Sequence, residues 1–140
     1  MKIPKYLTQT EWVQPTEYPD LRSYDEISID LETRDPNLKS KGSGAVTGVG
    51  EVVGIAVATF NDKLYFPIAH GEGPNMNRAK TLEWFKDICE CPATKIFHNA
   101  MYDVCWIRNL GIKINGLIVD TMIACSVLDE NRFAYTLNAL

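Results

Sequence analysis

The residues whose types and spacing suit chemistry in this 140-residue chain are carboxylates in three places. Asp30-Leu31-Glu32 closes an alternating run in which Ile27, Ile29 and Leu31 point one way and Ser28, Asp30 and Glu32 the other. That period reads as a half-buried strand. Residues i and i+2 of a strand leave the same face about 6.6 Å apart. Two carboxylates so placed repel by roughly 3 kcal/mol at an effective dielectric near 20. Solvation at a strand end relieves that repulsion, and so does a divalent cation; D-x-E alone does not choose. His98-Asn99-Ala100-Met101-Tyr102-Asp103 follows a strand and opens a helix. Asp103 then sits in a first turn, where the helix dipole favours any acid, and Asn99 can cap the helix through its side-chain oxygen. Asp120-Thr121 occupies another such junction, and capping is the better account of it.

Other candidates carry less. His70, beside Gly71 and Gly73, reads as a turn residue, and Tyr102 and Trp106 as packing groups or substrate walls. Lys39 and Lys41 meet a phosphate or are simply solvated. The glycines form neither G-x-x-x-x-G-K-[ST] nor G-x-G-x-x-G, so no nucleotide cradle is written here. Cys89-x-Cys91 has the wrong spacing for a zinc knuckle, and His70 and His98 are the only histidines. Together with Cys105 and Cys125 these thiols are expected to be reduced and mostly buried.

The elements that must position these groups follow from the texture of the chain. Residues 1–24, polar and broken by Pro4, Pro15 and Pro19, read as an arm lying on a domain spanning 25–140. Glu26–Glu32 is a strand, Arg34–Gly50 a loop, and 51–69 a hairpin turning at Asn61-Asp62. Pro74–Asn77 opens a helix whose Leu82, Phe85, Ile88 and Cys89 share a face. Thr94–His98 is a strand, Asn99–Leu110 a helix stopped by Gly111, Leu117–Val119 a strand, Asp120–Leu128 a helix, and Thr136–Leu140 the start of another. The order βββαβαβα is that of an α/β domain with a mixed sheet.

Composition agrees. At 46% hydrophobic and 23% charged residues the chain can build one core, which excludes wholesale disorder. No apolar run approaches the roughly 18 residues of a membrane span, and Met1-Lys2-Ile3-Pro4-Lys5 lacks the apolar region of a signal peptide. The expectation is a soluble, cytoplasmic protein without membrane contact. A net charge of −4 excludes a general basic coat for DNA, so any nucleic-acid contact is local or bridged by cations.

Taken together, Asp30-x-Glu32, Asn99-x-x-x-Asp103 and Asp120-Thr121-Met122 resemble the DEDD superfamily of 3′–5′ exonucleases. More narrowly, the chain from about Pro19 onward resembles the proofreading domain at the N-terminus of bacteriophage family A DNA polymerases. Blocks without chemistry share in the likeness, including Thr33–Leu38, Val53–Ala58, Tyr65–Ile68 and Leu128–Arg132. The resemblance implies a ribonuclease H-like fold and two-metal hydrolysis of a DNA 3′ end, with Mg²⁺ or Mn²⁺ as the ions. It implies that Asp30 bridges both ions, Glu32 holds one and orients water, and Asp103 supports the other. Asn99 and Thr33 would lie against the bound strand. The implied partners are a single-stranded DNA 3′ end and a polymerase domain in cis or in trans. The cytoplasm would then be that of an infected host.

The chain departs from the family in one respect. The family carries a fourth acid in Y-x-x-x-D or H-x-A-x-x-D, expected beyond Asp103 on a helix after the one starting near Thr136, and this sequence does not reach it. His98–Asp103 does spell H-x-A-x-x-D, but the same residues hold N-x-x-x-D at the spacing from Glu32 that suits the second motif. Reading His98 as a general base would leave that motif empty. Weak or absent nuclease activity is therefore expected of residues 1–140. An apolar face near Leu137, Leu140 or the preceding helix is expected to stand uncovered and to favour self-association. A non-catalytic DNA- or partner-binding module and a stand-alone RNA exonuclease are the alternative readings.

Overall fold

The elements run β1 (Glu26–Arg34), α1 (Leu38–Lys41), α2 (Gly44–Thr47), β2 (Glu51–Ala58), β3 (Lys63–Pro67), α3 (Arg78–Glu90), β4 (Thr94–Phe97), α4 (Ala100–Asn109), β5 (Ile118–Asp120) and α5 (Thr121–Leu128). A 3₁₀ turn follows at Leu137–Ala139. This computed structural model describes residues 12–139. The five strands form one sheet in the order β3-β2-β1-β4-β5. β1 pairs antiparallel with β2 and β2 with β3, while β4 lies parallel to β1 and β5 parallel to β4.

The alternation in β1 is realised in full: Ile27, Ile29 and Leu31 are buried, and Asp30 and Glu32 are exposed. β1 is the central strand, so its apolar face meets the core that also holds Phe85 and Ile88 of α3 and Trp106 and Ile107 of α4. The β1–β2 register slips between Glu32 and Thr33, leaving Val53 as the extra residue. Such a bulge bends the strand and re-aims side chains. Here it falls at the acidic pair.

Several boundaries differ from the sequence expectation for local reasons. The segment 34–50, read as a loop, contains α1 and α2; α2 is pinned where the Gly44 N–H donates to Asp35 Oδ2 at 2.8 Å. Gly44 is required there, because a Cβ would meet the Val49 carbonyl oxygen at 1.9 Å. α3 begins at Arg78, after Asn77, whose side chain accepts the Lys80 N–H at 3.0 Å. That bond is the N-cap. Residues 12–24 have no regular structure yet lie on the domain. Tyr18 stacks on Phe66, the Trp84 indole donates to the Pro19 carbonyl at 2.7 Å, and Leu21 is buried. The rest of the expected arm, residues 1–11, and Leu140 lie outside the described residues.

Lys95 of β4 is fully buried. Its ammonium donates to the carbonyls of Ala93 at 2.9 Å and Asn115 at 3.0 Å, and also to that of Cys91. A buried charge is tolerated only when its protons are taken up, and these three carbonyls tie the turn before β4 to the loop before β5. All four cysteines are free thiols; Cys89 and Cys91 are buried, and Cys105 and Cys125 half-buried. Burial pushes the Cys89 thiol up to about 12, only partly offset by Lys95.

Candidate active site

The pairing of β1 with β4 covers only Glu26–Ser28 against Thr94–Ile96. Further along β1, the Leu31 N–H donates instead to Asp103 Oδ1 at 3.1 Å. Asp103, in the first turn of α4, thus takes the place of a strand neighbour at the residue between Asp30 and Glu32. Only 3% of Asp103 is exposed. Burial pushes its carboxyl up to about 7; the Leu31 N–H pulls it down, and the nearby Asp30 charge pushes it up again. Desolvation by the surrounding protein also raises the Asp30 carboxyl, with His98 opposing. Two carboxylates that resist ionising beside each other are stabilised by a proton or by a cation between them.

Glu32 stands on the Asp30 face of β1, directly opposite Gly54 of β2. No ion pair among the described residues involves Asp30, Glu32 or Asp103. Among the described residues, no three Asp, Glu, His or Cys side chains converge closely enough to hold a metal ion as they stand. The donor chemistry nonetheless fits a hard divalent cation, since all three groups supply carboxylate oxygen and one of them is buried beside another.

Thr33 and Asn99 flank this pair differently. The Thr33 hydroxyl lies 2.7 Å from the Tyr102 hydroxyl, which itself donates to Asp35 Oδ2 at 3.1 Å. Asn99 is exposed, and the side-chain cap of α4 that its type allows is not made. Its backbone is left-handed (φ 68°), the only non-glycine residue so placed among those described. Asparagine tolerates that region. The cap comes from Asp120, whose carboxylate accepts the N–H groups of Asn99 at 3.0 Å and Ala100 at 2.8 Å. The same carboxylate accepts Met122 N–H at 2.9 Å and Ile123 N–H at 3.4 Å, so one side chain serves two helix starts. Burial pushes the Asp120 carboxyl up, but these four donors outweigh it and hold the group below its ordinary value.

His98 is engaged at both ring nitrogens, Nδ1 with the Thr121 hydroxyl at 2.9 Å and Nε2 with the Tyr135 carbonyl at 2.8 Å. The face of the sheet carrying Asp30 opens into a cleft of about 460 Å³, lined in part by Trp12, Ala56, Tyr65, His98 and Leu137. Along α5 and beyond it Ile123, Val127, Leu128, Phe133 and Leu137 are exposed, and no residue of α5 is buried. This is the uncovered apolar face expected near Leu137 and the preceding helix. Lys39 and Lys41 are exposed on α1.

One arrangement was not read from the sequence. The Tyr65 hydroxyl lies 2.5 Å from His70 Nε2 and directly over Gly54. The available signal was Gly54 itself, a lone glycine inside an apolar, β-branched strand, which marks a close approach.

The model of the DNA polymerase A 3′–5′ exonuclease family matches residues 18–140. The chain belongs to that family. No curated protein matches significantly. Among solved structures, Brucella melitensis NrnC with bound Mg²⁺ is similar at TM-score 0.57 and 18% identity, over 84% of this chain and 52% of that one. The same protein bound to pGG is similar at TM-score 0.55 and 19% identity, over 84% of this chain and 51% of that one. The POL domain of Pol1 from M. smegmatis, in complex with DNA primer-template and dNTP, is similar at TM-score 0.55 and 12% identity, over 83% of this chain and 18% of that one. The chain therefore spans about half the length of the NrnC chains it matches. The fold is α/β and ribonuclease H-like, a mixed five-stranded sheet flanked by helices. No helix among the described residues is long and apolar enough to cross a membrane.

Proposed function

We propose that this chain is the metal-dependent 3′–5′ exonuclease domain of a phage family A DNA polymerase, removing nucleotides from a single-stranded DNA 3′ end. The observation that carries the reading is the Asp103–Leu31 hydrogen bond, which draws a third acid to the strand that presents Asp30 and Glu32. Asp30, Glu32 and Asp103 would hold two Mg²⁺ or Mn²⁺ ions, which when bound activate water and neutralise the phosphate. The chain's own part is to present hard oxygen ligands from a rigid central strand and a buried helix start. A protein of net charge −4 gains its attraction for DNA through those cations. Thr33 and Asn99, beside the acids, contact the terminal nucleotides, and a polymerase domain in cis or in trans delivers the strand.

The test is 3′–5′ digestion of labelled single-stranded DNA with Mn²⁺, comparing the wild type with Asp30→Ala/Glu32→Ala. Release of nucleotides from the 3′ end that disappears in the variant supports the reading. Cleavage of RNA but not DNA moves the chain to the RNA exonucleases, a reading to which the likeness to NrnC bound to pGG lends weight. Mn²⁺ and DNA binding without cleavage in either protein leaves a non-catalytic module. The exposed strip around Val127 and Leu128 also serves self-association, which sedimentation at rising concentration detects and Val127→Lys abolishes.

A further inference from the structure

We infer that Tyr65 is a positioning residue for Glu32: its hydroxyl, held by His70 and seated on Gly54, stands where it would donate to the Glu32 carboxylate and fix that ligand when a divalent cation binds. The inference rests on the reading of Asp30, Glu32 and Asp103 as metal ligands and extends it to residues of the β2–β3 hairpin.

Register places the group. Tyr65 is paired with Ala56, so its side chain shares a face with Ala56, Gly54 and their β1 partners Asp30 and Glu32. Glu32 is directly opposite Gly54, and residues so opposed carry Cβ positions about 4.5–5.5 Å apart on one face. A Cβ on Gly54 would lie 2.0 Å from the Tyr65 hydroxyl and 2.5 Å from the ring carbon bearing it. The hydroxyl therefore occupies the space a side chain at position 54 would fill, within about 7.5 Å of the Glu32 Cβ. An extended glutamate carboxylate lies about 3.6 Å from its Cβ and meets the hydroxyl in the nearer part of that range. A phenol carries its proton at neutral pH and is therefore a donor.

His70 sets the direction of that proton. Its Nε2 is 2.5 Å from the phenol oxygen, among the described residues the only hydrogen-bond partner of that hydroxyl. With a proton on Nε2, His70 donates to the phenol oxygen, and the phenol proton points away from the ring. The imidazole is itself anchored. The His70 N–H donates to Asn75 Oδ1 at 2.8 Å, and Asn75 Nδ2 donates to the His70 carbonyl at 2.9 Å. Trp12 packs edge-on against the Tyr65 ring at 5.9 Å between centroids.

The test is Mn²⁺ binding by the 140-residue chain, read from the electron paramagnetic resonance signal of free Mn²⁺, with melting temperature measured in parallel. Four proteins are compared: wild type, Tyr65→Phe, Glu32→Gln and the double variant. Outer partners of metal ligands typically contribute about 10-fold or more in affinity. The expected result is a loss of about 10-fold in Tyr65→Phe that vanishes in the Glu32→Gln background. Should Tyr65→Phe fail to fold, His70→Ala, which keeps the phenol and its contact with Trp12, is expected to weaken binding in the same direction. Wild-type affinity in Tyr65→Phe, or an equal loss with and without Glu32, overturns the inference while leaving the metal site intact. Mn²⁺ binding that does not depend on Asp30 in an Asp30→Asn control overturns the metal reading itself, and this inference with it.

Discussion

The Asp103 carboxylate accepts the backbone N–H of Leu31, 72 positions earlier in the chain, at 3.1 Å. That bond couples a helix start to the strand between two acids, so the protonation state of Asp103 bears on stability and, in the proposed function, on cation binding.

The consequence is a pH dependence of stability in chelator. The Asp103 carboxyl moves from 3.8 to about 7 on folding. A folded-state value above the unfolded one contributes stability that is fully present below pH 3.8 and is lost as pH rises through about 7. Urea titrations at pH 5 and pH 8 in chelator should show the higher midpoint at pH 5, and Asp103→Asn should flatten that difference. Added Mn²⁺ should restore stability at pH 8 in the wild type and not in the variant.

Asp120 acts in the opposite sense. Its folded-state value is depressed, so its contribution is present above the unfolded value of 3.8 and is lost as pH falls through the folded one. Asp120→Ala removes the acceptor for four backbone N–H groups at two helix starts. A loss of about 1–3 kcal/mol is expected in chemical denaturation, with Mn²⁺ affinity at neutral pH little changed.

Lys95→Met keeps the apolar stem but leaves the carbonyls of Cys91, Ala93 and Asn115 without their donor. Hydrogen bonds to a charged group contribute about 1.5–3 kcal/mol each. Denaturation should show a loss of at least about 2 kcal/mol, and Lys95→Ala, which also empties a buried volume, a larger one.

Gly54→Ala separates two effects. Alanine in a strand interior is ordinarily more stable than glycine by roughly 0.5–1 kcal/mol. Here its Cβ would overlap the Tyr65 phenol. A net loss of about 1–3 kcal/mol from overpacking is expected, together with weakened Mn²⁺ binding.

Much of the site was legible because it is local. The alternation Ile27-x-Ile29-x-Leu31 puts Asp30 and Glu32 on one face whatever the rest of the chain does, since the strand period is two. The helix starts after His98 and at Asp120 were marked by capping residues, and the family resemblance joined these blocks into one set of acids. That Asn99, able to cap α4, does not do so has an equally plain reason. The carboxylate that caps it belongs to Asp120, and nothing in the spacing says that β5 lies beside β4.

What the sequence determined by itself is therefore the five strands, the helices α3, α4 and α5, and the acids they present, because periodicity and caps act within a few residues. What only the tertiary structure decided is which groups meet: Asp103 with Leu31, Asp120 with two helix starts, Lys95 with three carbonyls, and Tyr65 with Gly54 and His70. Those pairings depend on strand order and on one bulge at Glu32/Thr33. Sheet order is set by burying one shared core, and no short stretch of chain carries that information.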